Sequence, residues 1–181
     1  MAISHLNSKL FSLFLVTILG FSVLGFVLFA VIITFIKVDI QPSVSYELSA
    51  SPKEVMNYVS DVSNFPNWDP KTIIDSSVTL NLTQRNGIET LDLTDSTESI
   101  VGFYSVENIG ENKIEMKVGI QKIEPLTYLF EIAPSDNGTV IKWSMNFEGN
   151  LMLYLFDAKS QLETMFLRGL KTLDNKLKSI Y

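Results

Sequence analysis

The apolar and polar positions of this chain divide it into one long uncharged run and a remainder that alternates. From Leu10 to Ile36 the sequence contains no charged residue and no histidine. As a helix this run would be roughly 40 Å long, which exceeds the roughly 30 Å hydrocarbon core of a bilayer. The pattern therefore predicts a transmembrane helix over residues 10–36, preceded by an N-terminal tail of residues 1–9.

A cleaved secretory signal and a buried soluble helix are the alternatives for this run. A signal has an apolar core of only about 7–15 residues that ends in a small-x-small cleavage site, whereas here the run leads directly into Lys37. A buried helix so long and so uniformly apolar would be rare in a domain of modest size. We expect a retained single-pass anchor. Lys9 and the amino terminus flank one end, and Lys37 flanks the other with Asp39 nearby. We expect the tail inside and the following domain on the extracytoplasmic side.

The remainder of the chain has room for one domain. Residues 37–42 are interpreted as a linker, and residues 43–181 are too few for two typical domains. Alternating apolar positions predict a first strand from Ser43 to Leu48. A helix is predicted directly afterwards, because Ser51-Pro52-Lys53-Glu54 combines an N-cap hydroxyl, an early proline and a glutamate that closes a capping box. Asp61 is predicted to cap a second short helical segment ending near Trp68.

The alternation of apolar and polar residues from about Ser77 to Phe147 predicts a meander of antiparallel strands. Turns are expected at Asn86-Gly87, at Gly110 and at Asn137-Gly138, where small or turn-forming residues interrupt the alternation. Two strands have especially clear apolar faces, formed by Ile114, Met116, Val118 and Ile120 and by Ile141, Trp143, Met145 and Phe147. One face of the sheet should therefore be covered and the other solvated. The cover is a C-terminal helix with apolar residues at helical spacing: Leu162, Met165, Phe166, Gly169, Leu173, Leu177 and Ile180.

Composition removes several kinds of chemistry. The chain has 14 basic and 20 acidic residues and a net charge of −6, which argues against nucleic acid as a partner. Cysteine is absent, and the only histidine, His5, lies in the N-terminal tail. The domain therefore has no Ser-His-Asp triad, no Cys-His pair and no histidine or cysteine metal ligand. We expect no metal and no cofactor, and we favour a non-catalytic role over an enzyme.

The order of strand, short helices, long meander and C-terminal helix resembles the START-like, or SRPBCC, superfamily, which includes proteins labelled polyketide cyclase/dehydrase or lipid transport. The resemblance covers about residues 40–181. Several bacterial members are also similar to this chain in starting with a single apolar anchor. Four segments carry it: Ser51 to Val55, Asp61 to Trp68 (DVSNFPNW), Gly138 to Trp143, and Gly169-Leu170 with Leu173. The segment from Asp75 to Ser99 departs from the usual glycine-containing strands.

The resemblance implies an α+β helix-grip fold, in which a curved antiparallel sheet wraps around the C-terminal helix and leaves an elongated apolar cavity. Eight residues on inward positions are placed at that cavity: Met116, Phe130, Trp143, Met145, Phe147, Leu162, Met165 and Gly169. Methionines and aromatic residues suit a pocket for irregular apolar ligands. The alternative for each of them is that it simply fills the core. Trp68 is interpreted as a cap on the end of the core.

Three functions follow as hypotheses. The first is binding or shuttling of a hydrophobic small molecule or lipid beside the membrane. The second is a cyclase or dehydratase that uses a carboxylate in an apolar pocket, although Glu115, Glu131 and Glu148 are assigned to positions that do not point inward. The third is a module that presents a sheet edge or the segment from Asp75 to Ser99 to an envelope protein, which the sequence does not identify.

Overall fold

The computed structural model of the protein describes residues 2–70, 78–120 and 123–181, including their side chains except those of residues 2–13 and 123. The chain forms two compact units. The first consists of Met1–Val38 and Glu148–Phe156, and the second of Asp39–Phe147 and Asp157–Tyr181. Residues 75–77 lie outside the described residues. They include the start of the segment considered for an envelope partner and Ser77, from which the meander was predicted.

The first unit is built on helix α1 (Ala2–Phe35). Its stretch Phe14–Phe35 has a mean hydropathy of 2.8 and is exposed, so the helix is long and apolar enough to cross a membrane. Strands β1 (Lys37–Ile40) and β9 (Phe147–Asn150) form a two-stranded sheet, and the short helix α3 (Leu151–Leu155) follows β9. The segment predicted as a linker thus contains a strand, and residues 2–9 of the predicted tail are already helical.

The second unit contains a seven-stranded antiparallel sheet. Its strands are β2 (Ser43–Leu48), β3 (Thr79–Arg85), β4 (Ile88–Thr94), β5 (Ile100–Ile109), β6 (Lys113–Ile120), β7 (Ile123–Ser135) and β8 (Gly138–Met145). Their order in the sheet is β2-β8-β7-β6-β5-β4-β3, which confirms the predicted meander and places β2 at the edge beside β8. The β3–β4 turn has positive φ angles at Asn86 (53°) and Gly87 (83°), as a tight hairpin requires.

Three helical segments of the second unit lie where the sequence predicts helices. Helix α2 (Pro52–Ser60) starts with the complete capping box, in which Glu54 accepts from the Ser51 backbone N–H at 2.8 Å. Asp61 caps the second segment, which is a 3₁₀ helix (Val62–Asn67). Helix α4 (Ala158–Ile180) buries the apolar stripe predicted for it, since Phe166, Gly169, Leu170, Leu173 and Leu177 are buried.

All three segments lie on one face of the seven-stranded sheet, called the inner face here. Helix α4 packs against β2, α2 packs against β6, β7 and β8, and the 3₁₀ helix packs against β4 and β5. Directly paired residues of neighbouring strands share a face, so the register defines the inner face across the whole sheet. Trp143 pairs with Phe130, Tyr128 with Met116, and Tyr104 with Val118. The structure confirms the α+β helix-grip architecture.

Candidate functional site

Seven aromatic side chains fill the space between the inner face and the helical segments. Trp143 of β8 stacks on Phe166 of α4, with ring centroids 4.2 Å apart and an angle of 12° between the planes. Tyr128 and Trp68 meet Trp143 edge-on at 5.2 and 5.5 Å. The aromatic cluster consists of Phe65, Trp68, Tyr104, Tyr128, Phe130, Trp143 and Phe166, all of them buried. Trp68, interpreted as a cap, lies within this cluster.

The eight residues predicted at the cavity all belong to this packed region or contact it. Met116, Phe130, Trp143, Met145 and Gly169 are buried, while Phe147, Leu162 and Met165 are half-buried and pack against the core. An added Cβ on Gly169 would lie 2.8 Å from the Trp143 ring and 3.1 Å from Pro70, so the glycine permits close approach of α4 to its neighbours. Whether these eight side chains contact a ligand stays a prediction.

Two depressions lie elsewhere on the second unit. One of about 420 Å³ is lined by residues of β2, β7 and β8, among them Met145 at the end of β8. The other, of about 630 Å³, lies beside the start of α2 and includes Pro52, Met56 and Ile132. Neither of these two lies between α4 and the sheet, where the aromatic cluster occupies the space.

A carboxylate lies inside the aromatic region, at a position that the sequence reasoning did not select. Asp69 follows Trp68 directly and is 0% exposed. Its Oδ2 accepts a hydrogen bond of 2.9 Å from the hydroxyl of Tyr104, a residue of β5. Burial raises the pKa of the Tyr128 hydroxyl, and the negative charge of Asp69 raises it further. Asp69 is therefore a buried carboxylate that contacts the aromatic cluster through Tyr104.

The three glutamates weighed from the sequence are partly or fully exposed, and each forms an ion pair with a lysine. Glu115 pairs with Lys113 at 2.6 Å, Glu131 pairs with Lys142 at 2.7 Å, and Glu148 pairs with Lys37. Strand alternation placed them correctly. It had no means of selecting Asp69, which lies in a loop and is buried by tertiary packing; its position directly after Trp68 was the one available signal.

Two buried indole N–H groups border the same region. The Nε1 atoms of Trp68 and Trp143 have no hydrogen-bond acceptor within the described part of the chain. A buried donor without an acceptor costs about 1–3 kcal/mol. Both groups would gain an interaction from a polar atom of a ligand or from a water molecule.

The inner face continues beyond the aromatic cluster as an open apolar strip on β3, β4, β5 and β6. The strip consists of Leu80, Leu82, Leu93, Gly102 and Ile120, which the register places on the same face as Tyr104. Leu80, Leu82 and Ile120 are 42, 53 and 39% exposed, whereas Leu91, which pairs with both Leu82 and Tyr104, is buried. Gly102, which pairs with Leu93 and Ile120, contributes no side chain to the strip.

Solved structures share this fold. The START superfamily protein from Mycobacterium smegmatis aligns with a TM-score of 0.56 and 17% identity, covering 78% of this chain and 99% of that one. An uncharacterized protein from Rhizobium leguminosarum gives 0.54 and 17%, covering 79 and 97%. The di-domain ARO/CYC StfQ from the steffimycin biosynthetic pathway gives 0.53 and 14%, covering 78% of this chain and 52% of that one. At such identities the likeness concerns the fold alone.

The sequence itself decides the family. Among curated protein sequences, none matches this chain. The family described as polyketide cyclase/dehydrase and lipid transport matches residues 40–178, which include the whole seven-stranded sheet, the aromatic cluster and nearly all of α4. On this match and on the START-like fold, the chain belongs to the polyketide cyclase/dehydrase and lipid-transport family.

Proposed function

We propose that this protein binds a hydrophobic small molecule or lipid on the inner face of its sheet, beside a membrane, without transforming it. The observation that carries the proposal is the open apolar strip. An exposed apolar surface that continues into a buried aromatic cluster is typical of a ligand-binding groove. Membership of a family that includes lipid transport supports the same conclusion.

The two parts of the inner face suit the two ends of an amphipathic ligand. An apolar chain would lie on Leu80, Leu82 and Ile120 and remove them from water. A polar group would reach toward the Asp69–Tyr104 pair, and the indole N–H groups beyond it offer further donors. The predicted residues around Trp143 would take part if Phe166 moves off the indole ring, since the stack of the two rings occupies that space.

The proposal includes the membrane. Phe14–Phe35 would span the bilayer once, with the second unit on the extracytoplasmic side, so that a lipid or other apolar ligand need not travel far through water. The side can be tested with a cysteine introduced at Lys176, an exposed residue of α4. Labelling of intact cells by a membrane-impermeant thiol reagent supports the extracytoplasmic side; labelling only after lysis contradicts it.

Binding can be tested with the full chain in lipid nanodiscs and a fluorescent fatty acid as the probe. Leu82→Lys places a charge on the strip, and Asn81→Lys places the same charge on the opposite face of the same strand. We expect the Kd of the probe to rise at least tenfold in Leu82→Lys, equivalent to about 1.4 kcal/mol, and to change less than twofold in Asn81→Lys. Equal Kd values in both variants and the unaltered protein would contradict the strip as the site.

An enzyme of the cyclase or dehydratase type is the second candidate, and the buried Asp69 favours it. A carboxylate surrounded by aromatic rings and hydrogen-bonded to a tyrosine has the environment in which a general acid or base operates. Asp69→Asn removes the proton-transfer group while retaining the shape of the side chain. Conversion of a bound apolar substrate that stops in Asp69→Asn but continues in Tyr104→Phe would support catalysis; binding with no conversion in any variant supports the first candidate.

A further inference from the structure

The segment from Leu151 to Phe156 exposes apolar side chains in almost every direction. It comprises α3 and the residue after it, and its sequence, LMLYLF, contains no charged side chain. From Met152 to Phe156 the exposed fractions range from 44 to 66%. Four of these five residues, Met152–Leu155, are helical and cover slightly more than one turn, so the exposure belongs to the whole segment and not to one face of it. Such a surface in water is unfavourable and indicates a partner.

The position of α3 beside α1 indicates which partner this is. The Leu151 backbone N–H donates a 2.9 Å hydrogen bond to the carbonyl of Ile36, the residue directly after the membrane-spanning stretch. Helices α1 and α3 also pack against each other within the first unit. Lys37, the residue after Ile36, forms an ion pair with Glu148 of β9, the strand that precedes α3. Helix α3 is therefore held where α1 would leave the hydrocarbon core.

The backbone of the segment is suited to a low-dielectric environment. The side chain of Asn150 caps α3 by accepting from the Leu153 N–H at 2.9 Å, and the Phe156 N–H donates to the carbonyl of Met152 at 2.9 Å. Backbone donors that are satisfied internally lower the cost of entering lipid. Tyr154 and Phe156 add aromatic rings, which are enriched at membrane–water interfaces.

We propose that residues 151–156 form a second membrane contact, with their side chains inserted into the boundary between headgroups and acyl chains of the leaflet in which α1 ends. The inference rests on the proposed membrane span of α1. Continuity with that span favours lipid over a second copy of the chain. A stable protein interface needs about 20–30 residues on each side, far more than the segment offers. Two contacts would restrain rotation of the first unit about the α1 axis.

Site-specific labelling tests the contact directly, because the natural chain contains no cysteine. Single cysteines at Leu155, Leu24 and Asn137 are labelled with an environment-sensitive nitrobenzoxadiazole dye in the full chain. The protein is reconstituted in phosphatidylcholine–phosphatidylglycerol vesicles that carry nitroxide lipids. Leu24 lies in the middle of the span, and Asn137 is an exposed residue of the β7–β8 turn.

We expect headgroup-proximal nitroxides to quench the label at position 155 at least threefold more strongly than the label at 137. Mid-chain nitroxides should quench position 24 most. Quenching at 155 equal to that at 137, with position 24 still quenched, overturns the second contact and leaves the anchor intact. Disulfide crosslinking of Leu155→Cys copies without lipid quenching assigns the segment to a second chain and overturns it as well. Absence of quenching at position 24 would contradict the membrane span of α1, and the second contact would fall with it. Ligand binding on the inner face is tested separately with the fluorescent fatty acid.

Discussion

Phe166 lies flat on Trp143, with the ring planes 12° apart, and this stack joins α4 to β8. Aromatic pairs contribute about 0.5–1.5 kcal/mol beyond the area they bury. Gly169, one turn further along α4, lets the helix approach the same indole ring. The grip of the helix on the sheet therefore depends on an aromatic pair and on the absence of a side chain beside it.

Replacing Gly169 by alanine should destabilise the protein. Alanine favours the helix by about 1 kcal/mol, but the new Cβ would lie 2.8 Å from the Trp143 ring and would overpack the interface, at a cost of about 1–3 kcal/mol. We expect a net loss of about 1 kcal/mol in the free energy of unfolding, measured by urea denaturation. Lys171→Ala, at an exposed position of the same helix, should change it by less than about 0.5 kcal/mol. A stabilised Gly169→Ala variant would mean that the space beside Trp143 is open.

Asp174 should make the protein sensitive to acid. Burial acts to raise the pKa of this carboxyl, but hydrogen bonds from Lys178 and Ser49 outweigh it and hold the pKa below its ordinary value. The Ser49 backbone N–H and hydroxyl both donate to Oδ1 at 3.1 Å, and Lys178 donates to Oδ2 at 2.5 Å. A carboxyl with a lowered folded-state pKa stabilises the fold above its unfolded value, about 3.9, and this contribution disappears as the pH falls through the folded value.

Asp174→Asn should therefore lower the free energy of unfolding by about 1–3 kcal/mol at pH 7. The difference from the unaltered protein should shrink as the pH is lowered below about 4, because protonation then weakens the same contacts in the natural chain. Thermal unfolding at a series of pH values measures this. Asp136→Asn, in the exposed β7–β8 turn, serves as the control with the same chemical change. A difference that is independent of pH would show that charge at Asp174 is not the cause.

The hydrogen bond between Tyr104 and Asp69 should contribute to stability whether or not it serves a reaction. Tyr104→Phe removes the buried donor and should cost about 1–3 kcal/mol, because a buried carboxylate loses its 2.9 Å partner. A double-mutant cycle with Asp69→Asn isolates the coupling between the two residues. Tyr181→Phe removes an exposed hydroxyl and should have no measurable effect. Additive single-mutant effects would show that the pair does not act as a unit.

Removing the capping box before α2 should lower the free energy of unfolding by less than the substitutions above. Ser51→Ala removes the hydroxyl that accepts from the Glu54 N–H, and loss of an N-cap typically costs about 0.5–2 kcal/mol. Ser60→Ala at the other end of α2 removes a hydroxyl that donates to the carbonyl of Asn57 within the same helix. It caps no free backbone N–H there, so we expect Ser60→Ala to lower the free energy of unfolding by less than Ser51→Ala. Chemical denaturation of both variants compares the two ends of the helix. Equal losses would contradict a specific role for the cap.

The sequence predicted features that depend on neighbouring residues, such as the faces of strands. It did not predict features that depend on contacts between distant segments. Strand alternation placed Trp143 and Met116 on the inner face, and the pairing register bears this out. It also placed Ile120 there, but could not indicate that this residue is 39% exposed, since exposure depends on whether a helix lies above it. Asp69 was missed for the same reason, because its burial and its partner Tyr104 come from segments far apart in the chain.

The amino-acid sequence alone determined the uncharged run long enough to span a membrane, the capped starts of α2 and the 3₁₀ helix, the antiparallel meander and the apolar stripe of α4. These follow from periodicity, turn residues and capping groups, which act over a few residues. Only the tertiary structure decided that aromatic rings fill the space beneath α4, that Asp69 is buried among them, and that α3 lies against the end of α1. Each of these depends on contacts between residues that are distant in sequence, where packing and desolvation outweigh local preference.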